Sequence, residues 1–157
     1  DDFTWNVPKL PPKPCVVYFD YSDQNYIKKV SIANMNNTTG GTSGYNYYSK
    51  KKIEVLPNQF YELKVEYNVN PNYNNVGVYG YFDWNCDGDF MDNEEIVLIS
   101  NNVNSSNGII SVFVPNNAVK GMSYARFVIQ PGFNAVTPNP CAQDSYGEVE
   151  EYPLFIK

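Results

Sequence analysis

The sequence predicts an all-β protein, an antiparallel β-sandwich of the jelly-roll or immunoglobulin-like kind. Three observations point there. Apolar residues recur at every second position over several short runs, and turn-rich stretches separate those runs. No window carries an apolar 3.6-residue period long enough for a substantial helix.

The elements follow in chain order. Residues 1–14 hold four prolines (Pro8, Pro11, Pro12, Pro14) and read as an extended lead-in or linker, which leaves 15–157 as a single domain. Short strands are expected at 16–21 and 27–33. The clearest is 61–69, where Tyr61, Leu63, Val65, Tyr67 and Val69 alternate with Glu62, Lys64, Glu66 and Asn68. In the next strand, 76–82, Val76, Val78 and Phe82 share one face and Tyr79 and Tyr81 the other. Further strands are expected at 96–100, 109–114, 124–130 and 152–156. Turns at 71–75 and 105–108 separate them, rich in Asn, Pro, Ser and Gly. A chain of 157 residues and 17.9 kDa suits one domain with its own core.

Composition narrows function. The chain has no histidine, so no Ser-His-Asp or Cys-His nucleophile and no His-ligated zinc site can be built. With 43% hydrophobic and 18% charged residues the chain is globular rather than disordered. No apolar run approaches the roughly 20 residues that span a bilayer, so membrane insertion is not expected. Residues 1–5 show neither a basic nor an apolar signal region and read as a mature or trimmed start. The net charge of −6 is concentrated. Six acids lie between Asp83 and Glu95, and four more are Asp144, Glu148, Glu150 and Glu151; the remaining seven acids face eleven bases. Such crowding calls for a cation, and it argues against nucleic acid as a partner.

The chemistry-bearing motif runs from Asp83 to Glu94 and satisfies D-x-[DN]-x-[DN]-G-x5-E, the spacing of a twelve-residue calcium loop. Oxygens of Asp83, Asn85 and Asp87 at positions 1, 3 and 5 would point inward. Gly88 allows the sharp turn, Asp89 offers its backbone carbonyl, and Glu94 would close the shell with two oxygens. Asp92 is a further candidate ligand. Strands flank the loop on both sides, so this would be a calcium (Ca2+) loop on a β scaffold rather than in a helical hand. An acidic, solvated turn is the alternative.

The three cysteines are Cys15, Cys86 and Cys141. In a secreted protein the natural pair is Cys15 with Cys141, near opposite ends of the domain, with Cys86 left free inside the acidic loop; three reduced thiols are the alternative. On a terminal strand Glu148 and Glu150 face the same way, about 7 Å apart. They could complete the calcium shell, build a second site, or pair with Arg126 and nearby lysines. Tyr45, Tyr47 and Tyr48, followed by Lys50, Lys51 and Lys52, mix flat rings with cations and are candidates for stacking on a sugar. Tyr79 and Tyr81 are comparable candidates, although cross-strand tyrosines also simply cover sandwich faces.

Two motifs resemble a known family. Asp83-Trp84-Asn85-Cys86-Asp87-Gly88-Asp89-Phe90 is similar to the D-W-N-x-D-G-D-F signature of the GEVED domain, and Tyr146-Gly147-Glu148-Val149-Glu150-Glu151-Tyr152 to its Y-G-E-V-E-D-Y signature. Between them, the stretch from Val114-Pro115 to Arg126-Phe127 and the Pro140-Cys141 pair fit as well, and the resemblance covers roughly 15–157. Cys86 stands where the family usually has Gln, and Glu151 where it has Asp. The resemblance implies an extracellular, non-catalytic β-sandwich module of secreted bacterial proteins. Such modules lie beside protease, glycosidase or adhesin domains. The partners it suggests are a polysaccharide or cell-surface ligand, or the neighbouring domains of the parent protein. A glycosidase-type carboxylate pair is not expected in so short a chain.

Overall fold

A computed structural model describes residues 11–21, 24–41, 44–132 and 137–157. Among these the regular structure is all strand: β1 (Tyr18–Tyr21), β2 (Tyr26–Ile32), β3 (Met35–Thr38), β4 (Tyr45–Tyr47), β5 (Ile53–Val55), β6 (Phe60–Asn68), β7 (Val76–Phe82), β8 (Ile96–Ser100), β9 (Asn107–Phe113), β10 (Gly121–Pro131), β11 (Gln143–Tyr146) and β12 (Glu148–Ile156). Two sheets face each other as a sandwich. The smaller has the order β3-β2-β6-β9 and is antiparallel throughout. The larger runs β12-β10-β7-β8, with β4 and β5 both added in parallel to the outer edge of β12. The sandwich is therefore mixed at one edge rather than wholly antiparallel.

Burial explains why some strands follow the two-residue period and others do not. One face of β6 is covered, so Leu63, Val65 and Tyr67 are fully buried and the residues between them are half-exposed. By contrast, every residue of β7 is buried. Its inner side chains, Val76, Val78 and Phe82, join the core between the sheets. Its outer ones, Tyr79 and Tyr81, lie in a second core with Val17, Phe19, Phe90, Val128, Ala142 and Val149.

That second core exists because two chain segments cross the outer face of the larger sheet. The arm 11–21 and the returning arm 137–146 pair through the parallel β1–β11 ladder and are joined by the Cys15–Cys141 disulfide, with Cα atoms 5.6 Å apart. Cys86 is the free cysteine. Residues 11–14, expected as lead-in, are part of this strap: Pro14 is buried and Pro12 lies against Gly88. Residues 1–10, including Pro8, fall outside the described residues. Gly147 sits between β11 and β12 with φ +130°, where a Cβ would meet the carbonyl oxygen of Ile129 and lie 2.8 Å from Phe19 Cε1. A side chain there would push the strap off the sheet.

The last strand begins at Glu148, four positions earlier than its apolar pattern predicts. Glu148, Glu150 and Glu151 are all fully buried, so acids occupy positions that alternation assigns to apolar residues. The short strands β3, β4, β5 and β11 were not predicted either. Each is three or four residues long, too short to show an alternation, and β3 and β11 are mostly polar.

Candidate cation loop and its anchor

The loop joins β7 to β8 and is held at both ends. Asp83 N donates to the Tyr124 carbonyl at 3.1 Å, and the Ser123 hydroxyl donates to the Asp83 carbonyl at 2.5 Å. Trp84 packs beneath it, 3% exposed and stacked on Phe82 at 4.9 Å, with Nε1 donating to the Glu94 carbonyl. Left-handed residues coil the chain, with Cys86 at φ +59°, Gly88 at +91° and Glu94 at +72°. Within the coil the side chains accept from backbone N–H groups further along: Asp83 Oδ2 from Gly88, Asn85 Oδ1 from Asp87, Asp87 Oδ1 from Asp89, and Asp89 Oδ1 from Met91. These short side-chain-to-backbone bonds coil the loop locally.

Ligand oxygens of Asp87, Asp89 and Asp92 lie within 4.8 Å of one another, all three residues exposed. Asn85 Nδ2 donates to Asp87 Oδ2 at 2.9 Å and to Asp92 Oδ2 at 2.5 Å, so a neutral donor sits between carboxylates where a cation would serve better. Asp83 is fully buried, and its Oδ1 has no hydrogen-bond partner among the described residues. Burial pushes its carboxyl up, against the hydrogen bonds it accepts. Asp83 is not part of that three-carboxylate cluster, but a buried oxygen and an all-oxygen donor set in one loop fit a hard divalent cation and not a soft one.

The structure departs from the twelve-residue template at the closing position. Glu94 is exposed. Its left-handed backbone rotates the next side chain inward, and Glu95 is the acid that enters the loop, 1% exposed. Glu95 Oε1 accepts from Trp84 N at 3.0 Å and Oε2 from Asp92 N at 3.3 Å. Burial pushes its pKa up to about 7, and the charges of Asp83 and Asp92 add to that. No signal in the template singles out position 13. A pocket of about 340 Å³ opens beside the loop, lined by Trp84, Asn85, Asp92, Glu95 and Asn117 among others.

The structure does not bring Glu148 and Glu150 to the loop. Glu148 lies opposite Ile129 on β10, six residues along from Ser123, the loop's anchor, or roughly 20 Å. Both face the core between the sheets. Glu148 Oε2 accepts from Ile27 N at 2.6 Å, and Glu150 Oε2 accepts from the Tyr152 hydroxyl at 2.6 Å. Of the three acids on this strand, Glu151 is the one that meets Arg126. Nε and Nη2 of Arg126 donate to Glu151 Oε2, at 2.8 and 2.5 Å.

Glu150 gives a pH prediction. The Thr39 hydroxyl lies between Glu150 Oε1 (2.5 Å) and the Ile27 carbonyl (3.2 Å), and its one proton cannot serve both. The cluster is complete when Glu150 itself is protonated. Burial raises its pKa, against the bonds from Thr39 and Tyr152. A raised folded pKa contributes stability that is complete below the ordinary Glu value of about 4.3 and is lost as pH rises through the folded value. Glu150→Gln keeps the acceptor for Tyr152 and a donor for Thr39. Its melting temperature is expected to fall less steeply than the wild type's between pH 4 and 8. Parallel profiles would show that Glu150 is ionised in the fold.

The tyrosine candidates separate. Tyr79 and Tyr81, 5% and 0% exposed, are covered by the strap and present no stacking surface. Tyr45 is half-buried and donates to Glu151 Oε1 at 3.2 Å. Tyr48 turns the other way and stacks on Tyr152 at 5.3 Å. Tyr47 is 44% exposed and packs beside Tyr124 at 6.3 Å. The contiguous run is thus split across two faces of the sheet, because successive residues of an extended chain point opposite ways.

None of the curated proteins matches this chain. The model of the GEVED domain family matches residues 77–155, half of the chain, from the second residue of β7 to the last but one of β12. The match takes in the acidic loop, Arg126, Cys141 and the run Gly147–Glu151. This chain belongs to the GEVED domain family.

Proposed function

We propose that this chain is a non-catalytic, calcium-binding accessory module of a larger secreted bacterial protein. The observation that carries the reading is the cluster of Asp87, Asp89 and Asp92 oxygens within 4.8 Å of one another, in the same loop as Asp83 Oδ1, which is buried and without a partner among the described residues. Asp83, Asn85, Asp87, Asp89 and Asp92 supply the donors, with Glu95 in the closing role expected of Glu94. Calcium suits such a flexible, oxygen-rich wrap better than magnesium, which holds its waters and demands an octahedron. The disulfide and the all-β fold are compatible with an extracellular setting.

Calcium binding only the folded form adds about 2.7 kcal/mol at one hundred times Kd, and chelation is expected to lower the melting temperature by roughly 5–10 °C. Asp83→Ala and Glu95→Gln are expected to abolish that response with β-type circular dichroism retained, while Glu94→Gln keeps it. An unchanged melting temperature in EDTA, together with no calcium heat in calorimetry, would reduce the loop to a solvated turn.

The module serves either a polysaccharide or cell surface, or the neighbouring domains of its parent as a spacer. The structural employment of Tyr45, Tyr48, Tyr79 and Tyr81 favours the spacer. Tyr47 with Tyr124 is the aromatic pair that remains for a sugar among the tyrosines expected to bind one. A pull-down on insoluble polysaccharides with wild type and Tyr47→Ala separates the two. Retention lost in the variant supports the sugar, and no retention in either supports the spacer.

A further inference from the structure

The loop and the disulfide strap meet at Arg126 and Pro12. Arg126 is 2% exposed on the outer face of β10, and its guanidinium lies over the Phe90 ring at 5.1 Å. Phe90 is residue 8 of the loop, fully buried against Tyr81 at 5.9 Å. The same guanidinium donates to both arms of the strap. Nη1 reaches the Pro140 carbonyl at 2.6 Å, and Nη2 the Cys15 carbonyl at 2.9 Å. At a second point, Gly88 at the loop's sharp turn lies so close under the strap that a Cβ would come 2.6 Å from Pro12 Cβ. Both contacts hold the half of the loop that contributes Asp87 and Asp89.

We propose that the loop and the Cys15–Cys141 strap form one coupled unit, with Arg126 as the positioning residue between them: the intact bridge tightens divalent-cation binding, and a bound cation protects the bridge from reduction. The proposal rests on the calcium reading above. With the bridge open, the arm holding Pro12 and Cys15 is no longer tied to the arm holding Pro140. Arg126 loses fixed acceptors, Phe90 loses its lid, and Gly88 loses its roof. The loop must then be ordered by the ion itself, and that ordering is subtracted from affinity. Reciprocity follows by linkage: whatever factor the bridge adds to cation affinity, the cation adds to the stability of the bridge.

Two measurements test this. In the first, calcium calorimetry compares the wild type with Cys15→Ser/Cys141→Ser and with Val65→Ala, a buried position on β6 of the smaller sheet whose truncation weakens the fold. The serine variant is expected to bind calcium at least about fivefold more weakly, and Val65→Ala to bind within about twofold of wild type. In the second, the wild-type bridge is titrated with dithiothreitol, which closes its own disulfide as the Cys15–Cys141 bond opens to two thiols. Saturating calcium is expected to raise the midpoint at least about fivefold, and magnesium much less. This arm decides the matter if the serine variant does not fold. Wild-type calcium binding with unchanged affinity in the serine variant, or with an unmoved reduction midpoint, overturns the coupling and leaves the calcium reading standing. Absence of wild-type calcium binding overturns both.

Discussion

Arg126→Ala is expected to cost about 3–5 kcal/mol, the largest effect of any single side chain here. Arg126 and Glu151 are 2% and 0% exposed, and removing the cation strands a carboxylate in the interior with the neutral Tyr45 hydroxyl in place of an ion-pair partner. The Cys15 and Pro140 carbonyls lose their donor at the same time. Arg126→Lys is expected to recover only part of the loss, because one ammonium cannot match a planar fork that reaches Glu151, Cys15 and Pro140 together. The double change Arg126→Met/Glu151→Leu is expected to cost much less than the alanine variant, because it removes the buried charge along with its partner. Urea unfolding of all three gives the answer. A loss below about 1 kcal/mol for Arg126→Ala would mean that Glu151 takes up a proton or water without penalty, and that the pair does not hold the strap.

Opening the bridge is expected to cost a similar amount by a different route. Cys15 and Cys141 are 126 positions apart, so their bond closes a loop spanning most of the domain. In the chain-entropy account this removes about 4–5 kcal/mol from the unfolded state's advantage. Cys15→Ser/Cys141→Ser is expected to melt roughly 10–20 °C lower. The strap is expected to loosen first, since Arg126 ties it to the sheet and its own β1–β11 ladder is short, whereas β10 and β12 are paired over nine residues. Hydrogen exchange would show this as early loss of protection at Tyr18 and Phe19 while Phe127 and Val128 stay protected. Equal protection in both regions would mean that strap and sheet open together.

Much of the fold is legible in the chain. The boundaries expected for β7 and β8, 76–82 and 96–100, coincide with the strands found, because their alternation and flanking turns are local. The loop between them is legible for the same reason: Asn85, Asp87 and Asp89 bind backbone N–H groups two residues on, so sequence spacing is nearly geometry. The pairing of Cys15 with Cys141 was accessible because the third cysteine lies inside the loop. Legibility fails where burial overrides residue type. Glu148 and Glu150 read as acids in need of a cation, yet inside the core Glu148 Oε2 meets the Ile27 N–H and Glu150 meets the Thr39 and Tyr152 hydroxyls. Glu94 matched a template, but it is exposed with a left-handed backbone, and Glu95 is the acid buried against the loop.

The sequence by itself determined the strand-forming runs, the oxygen-rich loop and the cysteine pair. All three depend on residues close in sequence or on simple elimination. Only the tertiary structure decided which face of the larger sheet is covered. That choice buries Tyr79 and Tyr81, gives Arg126 its place among Glu151, Cys15, Pro140 and Phe90, and sets Pro12 on Gly88. The physical reason is separation along the chain. The strap joins residues 126 positions apart, and a contact of that range follows from how the whole chain closes, not from any local pattern of polar and apolar residues.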